Sequence, residues 1–163
     1  MAAAQTTQPA QTLSPATLLV QSMGMAPTLQ ANLRNLLADP ASVRRTSSKD
    51  MAFLQKMVGL SELEFNALIA RVMEVGLSGD DLALLSDFHQ TPLGKKLQAH
   101  SRQATSLVEL NATVTGLSDG ERQALERFVS SGATARMVRF LDSAQFQSIL
   151  QVELEALPAS ARP

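Results

Sequence analysis

Asp80, Asp81 and Asp87 with His89 form the densest set of side chains able to hold a metal ion or move protons in this 163-residue chain. Their spacing argues against either task. On a helix Asp80 and Asp87 lie two turns apart, and Asp87 and His89 leave the axis in different directions, so the set reads as a solvated face. The other histidine, His100, falls three residues after Leu97 and four before Ala104. That spacing predicts a histidine packed at the edge of an apolar stripe. Ser101 beside it has no positioned base, and a serine without one is not a nucleophile. The chain has no cysteine, which excludes disulfides, thiolate metal sites and a cysteine nucleophile, and two histidines are too few for a His-rich cage. Gly-x-Ser-x-Gly, a P-loop and the dinucleotide fingerprint are all missing from the sequence. The expectation is a protein that is not an enzyme and uses no cofactor.

Three other groups have chemistry to offer. Met23-Gly24-Met25 carries soft thioethers that suit Cu(I), and Met51, Met57 and Met73 could join them. Methionine at helical spacing is more often core filling, so no metal is expected. The basic run Arg44-Arg45 with Lys49 has no aromatic residue interleaved for base stacking. With 14 Lys and Arg against 15 Asp and Glu the net charge is -1, so neither nucleic acid nor an anionic bilayer is expected as a partner. Lys95 and Lys96 follow Thr91-Pro92-Leu93-Gly94 at a helix start, where two cations can bind a phosphate or carboxylate. Thr91, Gly94, Lys95 and Lys96 are therefore the candidate anion site. The competing reading is structural: Thr91 caps, Pro92 presets the first turn, Gly94 admits a close backbone, and Phe88 plugs the corner.

The elements that must position these residues are punctuated by a tripeptide used three times, Gly59-Leu60-Ser61, Gly76-Leu77-Ser78 and Gly116-Leu117-Ser118. Each predicts a helix–helix joint. The Gly is expected to close one helix in the left-handed conformation, and the Ser to accept hydrogen bonds from the N–H groups opening the next. Leu60 and Leu77 are expected to staple forward onto Phe65 and Leu82, whereas Leu117 meets Arg122 and lacks a staple. Glu64, Asp81 and Glu121 at the third helical position suit both a returned hydrogen bond and the helix dipole.

The expected fold is all-α: one domain over residues 13–157, a bundle of about seven helices, with tails at 1–12 and 158–163. A first helix starts at Ser14-Pro15 and is kinked or ended at Pro27, with a second piece from Thr28 to Ala38. A basic connection then leads to helices at 49–58, 62–75 and 79–90, a long one from Thr91-Pro92 to about Thr115, one at 119–130 and a last one from Ser131-Gly132 to Leu157. No segment alternates with a two-residue period, so no strand is expected. The six phenylalanines, Phe53, Phe65, Phe88, Phe128, Phe140 and Phe146, are expected mostly in the core. Residues 77–97 also match residues 117–137 at an offset of forty, through Leu77, Ser78, Leu85 and Phe88 with Leu117, Ser118, Leu125 and Phe128. Asp81 pairs with Glu121, Thr91 with Ser131 and Lys96 with Arg136. Internal duplication and the shared demands of two capped helices both account for so short a match.

The stretch from Leu82 to Leu97, with Phe88-His89-Gln90-Thr91-Pro92-Leu93-Gly94-Lys95-Lys96 at its centre, resembles a bacterial family of small exported all-helical proteins of unknown function. The shared pattern is Phe-x-x-Ser/Thr-Pro-x-Gly followed by Lys or Gln and Lys. The family usually has Tyr after the Phe, where this chain has His89. The resemblance implies a helical bundle in the periplasm and brings no activity with it.

The first thirty-three residues carry no ionisable side chain. The Ala, Gln, Thr and Pro leader has no basic or apolar signal region and reads as the mature start of an exported protein, the alternative being a cytoplasmic tail. The window Leu13–Leu33 is interrupted by Pro15, Gly24 and Pro27 and is not expected to span a membrane. The apolar stripe of the segment Leu13 to Leu37, made of Leu18, Leu19, Leu29, Leu33 and Leu36, is the candidate docking surface for another envelope protein; packing on its own domain is the alternative. The expected function is that of a non-catalytic exported adaptor or assembly factor. The alternative is a carrier that encloses an apolar ligand such as a lipid chain.

Overall fold

The computed structural model describes residues 13–103 and 107–157, and every regular element among them is a helix. The chain runs through α1 (Pro15–Met23), α2 (Met25–Ala38), α3 (Pro40–Arg45), α4 (Ser48–Val58), α5 (Glu62–Gly76), α6 (Gly79–Gln90), α7 (Pro92–Gln103), α8 (Leu107–Thr115), α9 (Asp119–Ser130), α10 (Ala133–Leu141) and α11 (Ala144–Ala156). The expected tails, 1–12 and 158–163, lie outside the described residues. An all-α fold is what the sequence predicts; a bundle of seven helices is not what forms.

Breaks among the described residues occur at Gly24, Asp39 and Ser143. The first helix stops at Gly24, whose φ of 61° is left-handed and whose N–H closes on the Gln21 carbonyl at 3.1 Å. Pro27 breaks nothing, because it stands in the first turn of α2, where the missing N–H would have had no partner. Asp39 caps α3 through its carboxylate, which accepts from the N–H groups of Ala41 and Ser42 at 3.2 and 3.1 Å. The supposed connection Arg44-Arg45 is thus the last turn of a helix, where cations suit the dipole. The long helix expected from Pro92 to Thr115 is described as α7 and α8, on either side of residues 104–106. The last helix is divided by Ser143, whose hydroxyl accepts from the Phe146 N–H and starts α11.

The three serines of the Gly-Leu-Ser joints are N-caps. Ser61, Ser78 and Ser118 accept from the N–H of Glu64, Asp81 and Glu121 at 3.2, 3.1 and 3.3 Å, and Glu64 and Glu121 return the bond to complete capping boxes. The expected left-handed glycines are absent: among the described residues only Gly24 and Gly132 have positive φ. Gly59 stays right-handed, and Gly76 is the last residue of α5. Leu60 and Leu77 pack against the core, and Leu117 is buried without a staple.

The core is built around α1 and α5. Ala16, Leu19 and Val20 of α1 and Phe65, Leu68, Val72 and Met73 of α5 are wholly buried. A helix with no charge on any face suits a central position, and α1 lies against both α5 and α6. Burying each such Leu or Phe contributes about 1.5–3 kcal/mol. α11 covers the other side of α5, α2 carries α3 and α4, and α10 bridges α6 and α11. Of the phenylalanines, Phe65 and Phe140 are buried, while Phe53, Phe128 and Phe146 are half-buried against the core.

Candidate functional site

The corner between α6 and α7 is built as a structural joint. The Thr91 hydroxyl donates to the Phe88 carbonyl at 2.7 Å and accepts from the Gly94 N–H at 3.0 Å, so one side chain closes α6 and caps α7. A Cβ on Gly94 would collide with the Phe88 carbonyl oxygen and stand 2.9 Å from the His89 Cα, which is why a residue without a side chain occupies this position. Lys96 Nζ lies 3.2 Å from Glu121 Oε1, and Glu121 is itself the capping-box acid of α9. The Ser118 backbone N–H, then Lys96, hold the Glu121 carboxyl below its usual pKa. Thr91, Gly94 and Lys96 are thus engaged within the protein; Lys95 alone of the four candidate anion ligands is exposed and without a described side-chain partner.

The acidic set does not form one solvated face. Asp80 and Asp87 are exposed, but Asp81 is 8% exposed and accepts from Arg136 Nε at 2.8 Å and Nη2 at 2.5 Å. This two-pronged contact, ahead of the cost of burial, holds the Asp81 carboxyl below its usual value. His89 is half-buried, its Nδ1 enclosed with no hydrogen-bond partner among the described residues, and its ring lies edge-on to both Phe88 and Phe128 at 5.9 and 6.5 Å. Phe88 and Phe128 stack with centroids 3.7 Å apart and planes 4° from parallel. The reason is tertiary: α9 and α10 cover this side of α6. His100, expected at the core edge, is exposed instead. Among the described residues no three His, Asp or Glu side chains gather as a metal site. Four of the five methionines considered for copper serve the core: Met57 and Met73 are buried, and Met23 and Met25 pack against it, while Met51 is half-buried outside it.

The predicted docking stripe is divided by the fold. Leu19 is wholly buried between α1 and its neighbours and is no surface at all, which corrects that expectation. Leu29 and Leu33 are half-buried against the same core, Leu18 is half-buried, and Leu36 is 39% exposed. α1 lies against α5 and α6, and α2 lies against α5, so most of the stripe packs on its own domain.

A groove of about 520 Å³ lies instead between α4 and α11. Ala52, Phe53, Leu150 and Leu154 supply its apolar surface, and Lys49, Asp50, Lys56 and Glu155 carry charges of both signs around it. Lys56 Nζ donates to the Leu154 carbonyl at 2.6 Å, which ties α4 to the C-terminal turn of α11. The sequence held a signal for this face. Lys49, Ala52, Phe53 and Lys56 share one side of a helix, as do Gln147, Leu150, Gln151 and Leu154. Each stripe alone reads as an ordinary core face, and only tertiary structure leaves the two side by side with space between them. No helix among the described residues is long and apolar enough to cross a membrane. No protein-family model, no curated protein and no solved structure matches this chain.

Proposed function

We propose that the protein is a non-catalytic adaptor or assembly factor of the bacterial envelope that holds an amphipathic helix of another protein in the groove between α4 and α11. The observation that carries this reading is the groove itself, an apolar floor between two helix faces with a charged rim. That is the form in which helix-in-groove recognition works: the floor buries the apolar side of the incoming helix and the rim pairs its flanks. Two lysines and two acids leave the rim without net charge, so it favours a helix of mixed charge over a polyanion. The periplasm as the setting rests on the resemblance carried by Phe88 to Lys96. The residues of the Thr91–Lys96 corner enter as its structure, and of the N-terminal stripe only Leu36 is exposed, outside the lining of the groove.

A photo-crosslinking residue in place of exposed Ala52, introduced in cells of the native host, tests the reading. The expected result is one discrete protein adduct that is lost when Gln151, across the groove, is also changed to Arg, and that does not form from position 36. The apolar floor also suits an acyl chain, and an adduct or co-purifying mass of lipid size would favour the carrier. Adducts indifferent to the Gln151→Arg change would overturn groove binding.

A further inference from the structure

Of the contacts that join residues 77–97 to residues 117–137, the two ion pairs and the one stacked ring pair obey one exchange rule, while the edge-on approach of His89 to Phe128 has no mirror. Asp81 binds Arg136, and forty residues on from Asp81, Glu121 binds Lys96, which stands forty residues before Arg136. Phe88 stacks on Phe128, its own equivalent at the same offset. The local structure repeats as well. α6 and α9 start and end forty residues apart, behind Ser78 and Ser118 as caps. Thr91 and Ser131 each donate a hydroxyl to the carbonyl of the preceding Phe, at 2.7 and 2.6 Å.

Capping alone makes two helices look alike but gives no reason for them to trade partners. A contact set in which residue i of one unit meets j of the other, j of the first meets i of the second, and one residue meets its own copy is the signature of a two-fold, isologous interface. We propose that residues 77–97 and 117–137 are two copies of one self-pairing helix–corner–helix module, joined in this chain as the subunits of a dimer would be, and that the partner this interface fits is a second copy of itself. The copies have diverged in burial: Leu85 is buried where Leu125 is half-buried, and His89 is half-buried where Val129 is 61% exposed. α6 faces the core, whereas no residue of α9 is buried, so between these two helices only the pairing residues are held to the common pattern.

If the interface is self-pairing, two chains can exchange modules through the contacts that one chain makes with itself. Asp81→Arg places two cations together in its own chain, and Arg136→Asp places two acids together in its own. In an exchanged pair, Arg at 81 of the first variant meets Asp at 136 of the second, while Asp81 of the second meets Arg136 of the first. Both attractive pairs return only between chains. The test is to co-express the two variants with different tags, purify through both tags in turn, and measure the mass of the product. The expected product is a one-to-one complex at twice the 17.5 kDa of the chain. Two wild-type chains, already paired internally, are expected to yield none. Co-expression also covers the case in which either variant fails to fold alone. Variants that do not co-purify would overturn the proposal, as would wild-type chains that co-purify equally well.

Discussion

The ring of Phe140 lies against Gly76, in the space that a Cβ on that glycine would fill. This close approach, rather than a left-handed backbone, explains the second Gly-Leu-Ser joint. Gly59 and Gly116 differ, since a Cβ there would come no nearer than 3.4 Å to the carbonyl oxygens of the preceding turn, an ordinary contact. Gly76→Ala is therefore expected to lower the melting temperature and disturb the docking of α10. Gly59→Ala and Gly116→Ala are expected to be neutral or to stabilise by up to about 1 kcal/mol through the reduced freedom of the unfolded chain. Melting followed by circular dichroism orders the three; equal losses at all three positions would return the argument to backbone conformation.

Ser61 and Ser118 each sit in a complete capping box. Ser61→Ala and Ser118→Ala are each expected to cost about 1 kcal/mol, because the N–H groups of Glu64 and Glu121 lose their acceptor. Denaturant titration measures this directly. Ser118→Ala is expected to have a second effect, loosening the Glu121 side chain that Lys96 binds.

Leu19 and Leu36 belong to one apolar stripe in the sequence and to different environments in the fold. Leu19→Ala is expected to destabilise by about 2–5 kcal/mol, the usual range for emptying a fully buried leucine site. Leu36→Ala is expected to change stability by no more than about 0.5 kcal/mol. A Leu19→Ala variant as stable as wild type would mean that α1 does not fill the space between α5 and α6.

What was legible in the sequence was local. Ser and Thr caps act within three residues, so Ser14, Ser61, Ser78, Thr91 and Ser118 mark helix starts wherever the chain later goes. Asp39 and Ser143 are caps of the same kind, but Asp39-Pro40 also reads as a terminator and Ser143 stands inside an unbroken apolar rhythm, which is why α3 and the α10–α11 break were hidden. Partners across the fold were not legible. Asp81 looks like a solvated acid until Arg136, fifty-five residues away, is brought to it, and the groove needs two helices that are ninety-eight residues apart at the Lys56–Leu154 contact. The forty-residue repeat lay between these cases: its similarity was visible, and its meaning depended on which residues touch.

His89 gives the fold a dependence on pH that its neighbours do not share. Burial lowers its pKa from the ordinary 6.5, so the unfolded chain takes up a proton at a higher pH than the folded domain does. Above 6.5 the ring is neutral in both states and costs nothing. As pH falls from 6.5 toward the folded value, protonation favours the unfolded state and stability declines. Asp81, whose pKa is lowered from 3.8 by its hydrogen bonds with Arg136, is ionised in both states through this window; its contribution is present above 3.8 and is lost only at lower pH. Wild-type protein is therefore expected to lose stability as the pH falls below about 6.5, measured by circular dichroism because the chain has no Trp or Tyr to report by fluorescence. His89→Phe, which keeps an aromatic ring against Phe88 and Phe128 and removes the titrating group, is expected to flatten that part of the profile. If variant and wild type decline in parallel, the ring is not held neutral by burial, and the enclosed Nδ1 has found a proton partner in solution.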